Sequence, residues 1–402
     1  MDLPAASLIL KKGRDKPIKN RHPWIFSGAI NRVVGSIAEP GQLVDILKDD
    51  GSWLARGYYN PYSQISARIL TWQAEEEIDR QFWSDRIAQA LDLRGLLNLE
   101  PETTAYRLIN AEADGLPGLI VDKYGDYLVI QCLTAGIDRR KEQLAELLVE
   151  LLQPIGIVER SDASVRKKEG LRKASGILYG AAPSSQLVIF ENGLQMHADL
   201  YQGHKTGLYL DQRDNRAIIG HPDHMAGRDI LNVFAYTGAF AIYGARAGAS
   251  AITNIESSAS LLEIAQANMK LNKQTRPRDE YLTGDAFQIL RQLRKENSSY
   301  DAAILDPPKF ARSQKDVTAA SRGYKDLNMQ ALHLLRPGGL LATFSCSGLI
   351  SLDLFQKLLF AAAVDSGRDV QIIRYMSQAA DHPISVTYPE SAYLKGFLCR
   401  VM

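Results

Sequence analysis

The chain is short of cysteine, of long apolar runs and of net charge, and each shortage excludes something. Its three cysteines, Cys132, Cys346 and Cys399, stand too far apart for a disulfide framework or a zinc pattern. A reduced, cytoplasmic setting is therefore expected. The seven histidines are scattered, so no metal site is expected. No apolar stretch approaches the roughly 18–20 residues a membrane helix needs. Met1-Asp2-Leu3-Pro4 opens without the basic and apolar segments of a secretory leader, and no membrane partner is expected. A net charge of +1 says nothing by itself about nucleic acid.

Local charge says more. Between Lys11 and Arg21 stand six basic side chains, Lys11, Lys12, Arg14, Lys16, Lys19 and Arg21, against one acid, Asp15. A second run, Arg166-Lys167-Lys168 with Arg172-Lys173, lies near the middle. Either run alone reads equally well as a solvated loop. Two such runs in a chain that also carries a catalytic domain favour a polyanion partner.

At 402 residues, 46% hydrophobic, the chain exceeds one ordinary core, and two or three domains are expected. Residues 1–74 read as a small β-barrel. Leu8–Leu10, Gln42–Leu47 and Ser66–Leu70 are its clearest strands, and Asp49-Asp50-Gly51 is a hairpin turn. His22-Pro23-Trp24-Ile25-Phe26 sets aromatics beside the first basic run, a mixture suited to RNA, although Trp24 and Phe26 also read as plain core. Residues 75–190 read as a connector helix (75–98) followed by a small central α/β module. Residues 191–402 alternate strand and helix, which predicts an α/β fold with a Rossmann-like, doubly wound parallel sheet.

In such sheets the ligand lies over the carboxyl ends of the strands, so the residues just after each strand matter most. After Asp229–Phe234 comes Ala235-Tyr236-Thr237-Gly238-Ala239-Phe240, a small-residue turn that lets a ligand approach backbone. After the next strand stands Glu256, suited to a ribose diol. Asp285, with Ala286 and Phe287, suits an adenine ring and its amino group. After the fourth comes Asp306-Pro307-Pro308-Lys309-Phe310, and after the fifth Ser345-Cys346-Ser347-Gly348. One acid at one strand end is usually a helix cap, but five such elements at five successive ends point to a nucleoside cofactor. The first turn lacks the three-glycine phosphate cradle of nicotinamide enzymes. S-adenosylmethionine (SAM) carries no phosphate and needs none.

Two prolines stiffen the Asp306 loop, so its carbonyls and the Asp306 carboxylate can meet a flat base such as cytosine. Lys309 reads either as a phosphate contact or as a solvated lysine. Cys346 is the candidate nucleophile. Thiolate attack at C6 of a pyrimidine makes C5 nucleophilic toward a methyl donor, and the thiol is later eliminated. This chemistry needs an electropositive site. Cys132 and Cys399 read as buried, inert thiols. The stretch Gln202–Arg213, containing Thr206, Asp211 and Arg213, suits the methionine end of SAM or forms a structural loop with an internal ion pair.

With these residues in place, the chain resembles the large-subunit (23S) ribosomal RNA cytosine-C5 methyltransferase I family. The likeness is carried by His22–Gly28, Gly203–Arg213, Asn232–Phe240, Asp306–Phe310 and Phe344–Gly348, across essentially the whole chain. It implies a PUA domain, a central α/β domain and a class I SAM-dependent methyltransferase domain. It also implies SAM as cofactor and 23S rRNA or a large-subunit precursor as partner, and it suggests a homodimer. The resemblance makes Cys346 the nucleophile and Asp306 the substrate-loop acid, with Pro307, Pro308 and Lys309 beside the base. Thr206, Asp211, Arg213, Phe234, Tyr236, Thr237, Gly238, Phe240, Glu256, Asp285, Ala286 and Asp306 fall to the cofactor. Lys11, Lys12 and Arg14 fall to RNA. Other cytosine-C5 enzymes carry a second cysteine in the Asp-Pro-Pro loop where this chain has Lys309, so the base that removes the C5 proton is unassigned. Two rivals stand beside this reading: a base N-methyltransferase on the same fold, and a non-catalytic RNA-binding protein that keeps the fold.

The basic N-terminal run generates a test. Neutralising Lys11, Lys12 and Arg14 together should flatten the fall of RNA affinity with salt, measured by filter binding across a salt series; an unaltered slope removes this run from the RNA contact.

Overall fold

The computed structural model describes Pro4 and residues 6–402. The start of the chain, on which the absence of a leader was read, thus falls largely outside the described residues. Contacts divide the chain into two compact units. The first holds residues up to Ile189 with Ala198–Leu210 and Ala380–Ser391; the second holds Phe190–His197, Asp211–Ala379 and Ala392–Met402.

In the first unit six strands, Ala6–Leu10, Trp24–Phe26, Ile30–Gly35, Gln42–Leu47, Trp53–Tyr59 and Ile65–Thr71, make one mixed sheet. Leu8, Leu10, Ile25, Val44, Ile46, Ala55 and Ile69 form its core. The Asp49–Gly51 turn joins Gln42–Leu47 to Trp53–Tyr59, a strand with no readable alternation because Ala55, Arg56, Gly57 and Tyr58 are all buried. Arg56 is held by the Asp45 carboxylate at 2.8 Å. Gly57 admits no side chain, since a Cβ there would lie 2.0 Å from the Arg68 carbonyl oxygen.

The connector helix runs Arg80–Gly95, and the Asp79 carboxylate accepts from the Phe82 amide at its start. It begins later than the apolar period suggests because Asp79 caps it, which leaves Glu75–Glu77 outside. Its buried Phe82, Trp83, Ile87 and Ala90 share a core with Tyr58 and Leu70 of the first sheet and with a second, five-stranded sheet. In that sheet Tyr127–Cys132 and Gly156–Ser161 are parallel, bridged by the helix Lys141–Leu152. The other pairs are antiparallel. Of the second basic run, Arg166 is buried and donates to Asp138 at 2.7 Å and to the Arg172 carbonyl at 2.8 Å. It is a structural residue rather than part of a solvated basic face; Lys167 and Lys168 are exposed.

The second unit is a seven-stranded sheet with helices between its strands. Its elements are β1 (Asp229–Val233), α1 (Ala239–Arg246), β2 (Ala251–Glu256), α2 (Ala259–Leu271), β3 (Glu280–Thr283), α3 (Ala286–Lys295), β4 (Tyr300–Leu305), α4 (Val317–Leu334), β5 (Leu335–Ser345), α5 (Leu352–Ser366), β6 (Val370–Ser377) and β7 (Lys395–Val401). The strand order is β3-β2-β1-β4-β5-β7-β6. β1 to β5 are parallel, whereas β7 runs antiparallel to both its neighbours. The expected parallel sheet is therefore mixed. Its last strand in sequence sits between β5 and β6, where every residue of β7 but Arg400 is shielded. A Cβ on Gly396 would lie 2.4 Å from the Phe344 ring, so the glycine lets that ring lie flat on β7.

A buried ion pair fixes the entry to this unit. Arg216, on the helix Arg213–Ile219, donates to both Glu191 oxygens at 2.7 and 2.5 Å, and the Tyr243 hydroxyl donates to the same carboxylate at 3.1 Å. Removing one partner strands the other charge away from water. Glu191→Ala should cost about 3–5 kcal/mol in chemical denaturation; a loss below about 1 kcal/mol would mean that solvent reaches Arg216.

Candidate active site

The strand order reverses direction between β1 and β4, since β2 and β3 lie on one side and β5 to β7 on the other. The loops leaving β1 and β4 therefore diverge and open a crevice at their carboxyl ends. The sequence candidates of this unit cluster along that edge.

The loop after β1 is strained. Phe234 and Tyr236 take φ values of 61° and 50°, in the left-handed region, although neither is glycine. Each such residue costs roughly 1–3 kcal/mol and persists only where its surroundings demand it. Here the bent backbone directs the Tyr236 amide onto Glu256 Oε2 at 3.0 Å. Gly238 has φ 78° and a Cβ there would lie 2.8 Å from the Ala265 side chain, so the turn closes against α2 only with glycine.

Glu256 ends β2 and is half-buried. Its Oε1 accepts from the Ser257 amide and hydroxyl, at 2.7 and 2.9 Å, and from the Ser258 amide at 3.3 Å. Among the described residues Oε2 accepts from the Tyr236 amide alone, so the carboxylate is fixed in place with acceptor capacity left for a diol. Asp285 is exposed and caps α3, taking the Gln288 amide at 3.0 Å on Oδ1. The Thr237 hydroxyl is buried without a hydrogen-bond partner. These groups fit SAM: a fixed carboxylate for the ribose, a second acid at the next strand end, an orphaned buried hydroxyl, and no phosphate cradle.

After β4, Asp306 is half-buried and its Oδ1 accepts from Gln212 Nε2 at 3.0 Å. Pro307 is buried, while Pro308 and Lys309 are exposed. After β5, Cys346 is half-buried, with its thiol 4.0 Å from the Pro307 carbonyl oxygen. Strands β4 and β5 are neighbours, and this is why two motifs 40 residues apart, Asp306 and Cys346, meet at one edge.

A single phenol ties these two loops together. Tyr324, buried on α4, accepts from Ser345 Oγ at 3.0 Å and pairs with Ser347 Oγ at 3.3 Å. Ser347 Oγ in turn accepts the Ala311 amide at 3.3 Å, at the end of the Asp-Pro-Pro-Lys-Phe loop. The Phe310 ring packs 4.7 Å from the Tyr324 ring. Burial pushes the Tyr324 phenol above its ordinary value, so it stays protonated. The serines on either side of Cys346 thus hold the turn in which its thiol lies beside the Pro307 carbonyl.

The remaining candidates divide. Asp211, buried, accepts from the Tyr393 hydroxyl at 2.7 Å, and buried Arg213 donates to Asp214 at 3.0 Å. The Phe240 ring is packed inward, 5.9 Å from Phe344, and Ala286 is buried in the first turn of α3. Thr206 belongs to the first unit, where its hydroxyl donates to Asp122 at 2.7 Å and pairs with Tyr124 at 2.9 Å. Lys11, Lys12 and Arg14 are also in the first unit, all exposed, with Lys11 donating to the Gly28 carbonyl. Trp24 is anchored there through its indole to Glu112 at 2.8 Å, whereas Phe26 is 51% exposed. Sequence reasoning passed over Tyr324, Gln212 and Lys395. The first lies mid-helix, the second ends a short 3-10 turn just before the helix Arg213–Ile219, and the third lies on a strand that the alternation did not reveal. Among the described residues no cluster of potential metal ligands occurs, and no helix is long and apolar enough to cross a membrane.

Known proteins resemble the chain along its length. The PUA-like domain family matches residues 8–72, and the S-adenosylmethionine-dependent methyltransferase family matches residues 167–375. The chain is 48% identical over 396 residues to the ribosomal RNA large subunit methyltransferase I of Aliivibrio fischeri, covering 98% of this chain and 99% of that protein. It is 47% identical over 395 residues to the protein of the same name from Yersinia pestis, with coverage of 98% and 99%. Among solved structures, a candidate SAM-dependent methyltransferase from Streptococcus mutans superposes with a TM-score of 0.84 at 22% identity, covering 98% of this chain and 99% of that one. A candidate methyltransferase solved with SAH gives 0.85 at 23% identity, again covering 98% and 99%. At these identities the structural likeness is one of fold.

The fixed carboxylate at the end of β2 carries the cofactor assignment. Glu256→Ala should weaken SAM binding severalfold in calorimetry while the melting temperature barely moves; unchanged affinity would take Glu256 out of the cofactor site.

Proposed function

The chain belongs to the ribosomal RNA large subunit methyltransferase I family, a SAM-dependent family, and on that basis we propose that it methylates C5 of a cytosine in 23S rRNA through a covalent bond from Cys346 to C6. The observation that carries this reading is the placement of the Cys346 thiol against the Asp306-Pro307-Pro308 loop at the switch point of the sheet.

In this proposal Glu256 holds the ribose of SAM, Asp285 faces the adenine, and the strained turn Phe234–Gly238 brings backbone close to the cofactor. SAM, when bound, supplies an electrophilic methyl group. The loop Asp306–Lys309 orients the base: the Asp306 carboxylate and the loop carbonyls accept from the cytosine amino group, and the loop's stiffness holds the ring at one angle. The Cys346 thiolate adds to C6, and its electron pair passes into the ring to make C5 nucleophilic. After C5 is methylated, loss of the C5 proton to a base returns the electron pair and expels the thiolate. This division into two easier steps is what a pyrimidine carbon, a poor nucleophile by itself, requires.

The same reading divides the chain into an RNA-binding β domain (1–74), a connector with a small α/β domain (75–190) and the methyltransferase domain (191–402), at work in the cytoplasm. Exposed Lys11, Lys12 and Arg14, with the outward ring of Phe26, support the RNA role of the first part.

Two measurements separate carbon from nitrogen chemistry. Cys346→Ala should abolish methylation of 23S rRNA while SAM binding persists. RNA carrying 5-fluorocytosine should trap a SAM-dependent protein–RNA adduct that survives denaturing gels, because fluorine at C5 cannot leave as a proton does. Full methylation by the Cys346→Ala protein would replace the covalent mechanism with methylation at a base nitrogen.

A further inference from the structure

A thiol at the end of a strand is an ordinary thiol unless something favours its anion. Free cysteine is mostly protonated at neutral pH, and thiolate nucleophiles sit beside positive charge. Around Cys346 the charge comes from β7. In register, Lys395 stands directly opposite Ser345, one residue before Cys346. From there its ammonium reaches into the turn that follows and donates to the carbonyls of Ser347 and Ile350, at 2.8 Å each. Two carbonyls take two of its three protons, and they hold the nitrogen within the turn that begins at Cys346.

We infer that Lys395 is the positioning residue for the nucleophile, its ammonium holding Cys346 as a thiolate at neutral pH. This rests on the proposal that Cys346 attacks the base, and it goes further by naming what arms it. The titratable groups around Cys346 come from three elements: Lys395 of β7 and Tyr324 of α4 feel it directly, and Asp306 and Lys309 of the loop after β4 act on those two. Tyr324 is neutral across the working range and Lys309 is exposed to solvent, so the half-buried Lys395 is the cation whose field is least screened.

Burial pushes the Lys395 ammonium down to about 8; Cys346 acts in the opposite direction, and Lys309 adds to the depression. At pH 7 Lys395 is therefore still charged, and above about 8 its support for the thiolate fades. The other two thiols do not interfere with a measurement. Burial pushes Cys399 up to about 12, and Cys132 higher still.

The test needs neither RNA nor SAM. Iodoacetamide alkylation of Cys346 in the full chain, followed by peptide mass mapping across pH 5–10, reads the thiol's titration directly. Lys395→Met should raise the midpoint by about one pH unit and slow alkylation at pH 7 roughly threefold. Lys395→Arg, which keeps a cation, should stay near the parent protein. Melting temperature and SAM affinity identify variants that have lost their fold, and a misfolded Met variant is replaced by Lys395→Gln. A midpoint unmoved in the neutral variant overturns the inference, and so does an equal rise in the neutral and arginine variants, which would assign the effect to packing. Methylation by Cys346→Ala tests the underlying nucleophile separately, so failure of the mechanism and failure of this inference are distinguishable.

Discussion

The carboxyl edge of the second unit depends on one buried hydroxyl. Tyr324 binds Ser345 and Ser347, and through Ser347 it reaches the Ala311 amide. That phenol and the tilted Phe310 ring packed beside it tie the two loops together, while the Lys395 ammonium holds the turn after β5. Each hydrogen bond contributes only about 1 kcal/mol. Their value lies in geometry: an attacking sulfur displaced by 1 Å loses far more in rate than the bonds contribute in stability.

The same edge shows two ways of holding a carboxylate. Glu256 is gripped by main-chain amides and a serine, and its conformation is supported by strain stored at Phe234 and Tyr236. Asp306 is held by a side-chain amide, Gln212, and belongs to a proline-stiffened loop. The first arrangement is rigid by backbone and suits an acid that must not move. The second holds its acid through a flexible side chain rather than through backbone. That difference follows from local chain geometry alone.

Much of this was legible in the sequence. Strands β2 and β4 are short apolar runs that lead to the acids Glu256 and Asp306, β1 leads to a small-residue turn, and the order of a doubly wound sheet brings those ends together. The helices α2, α3 and α4 were readable from their apolar period. Trp53–Tyr59 was not readable, because a strand buried on both faces loses its alternation, and the charge of Arg56 disguises it further. β7 was missed for the same reason, and with it Lys395. A lysine before a glycine carries no motif, and only the antiparallel insertion of β7 beside β5 sets it against Cys346. Arg166 shows the opposite error: a residue within a basic run that is turned inward and used to hold the backbone.

The chain passes between its two compact units at 189/190, 197/198, 210/211, 379/380 and 391/392. Neither unit is a single continuous stretch, and each borrows a short segment from far along the sequence. A crossover at 197/198, 210/211 or 379/380 would split both units at once, and one at either outer point would split one of them. No single crossover at these points leaves both units whole, so a recombinant must inherit matching segments of at least one unit from two parents.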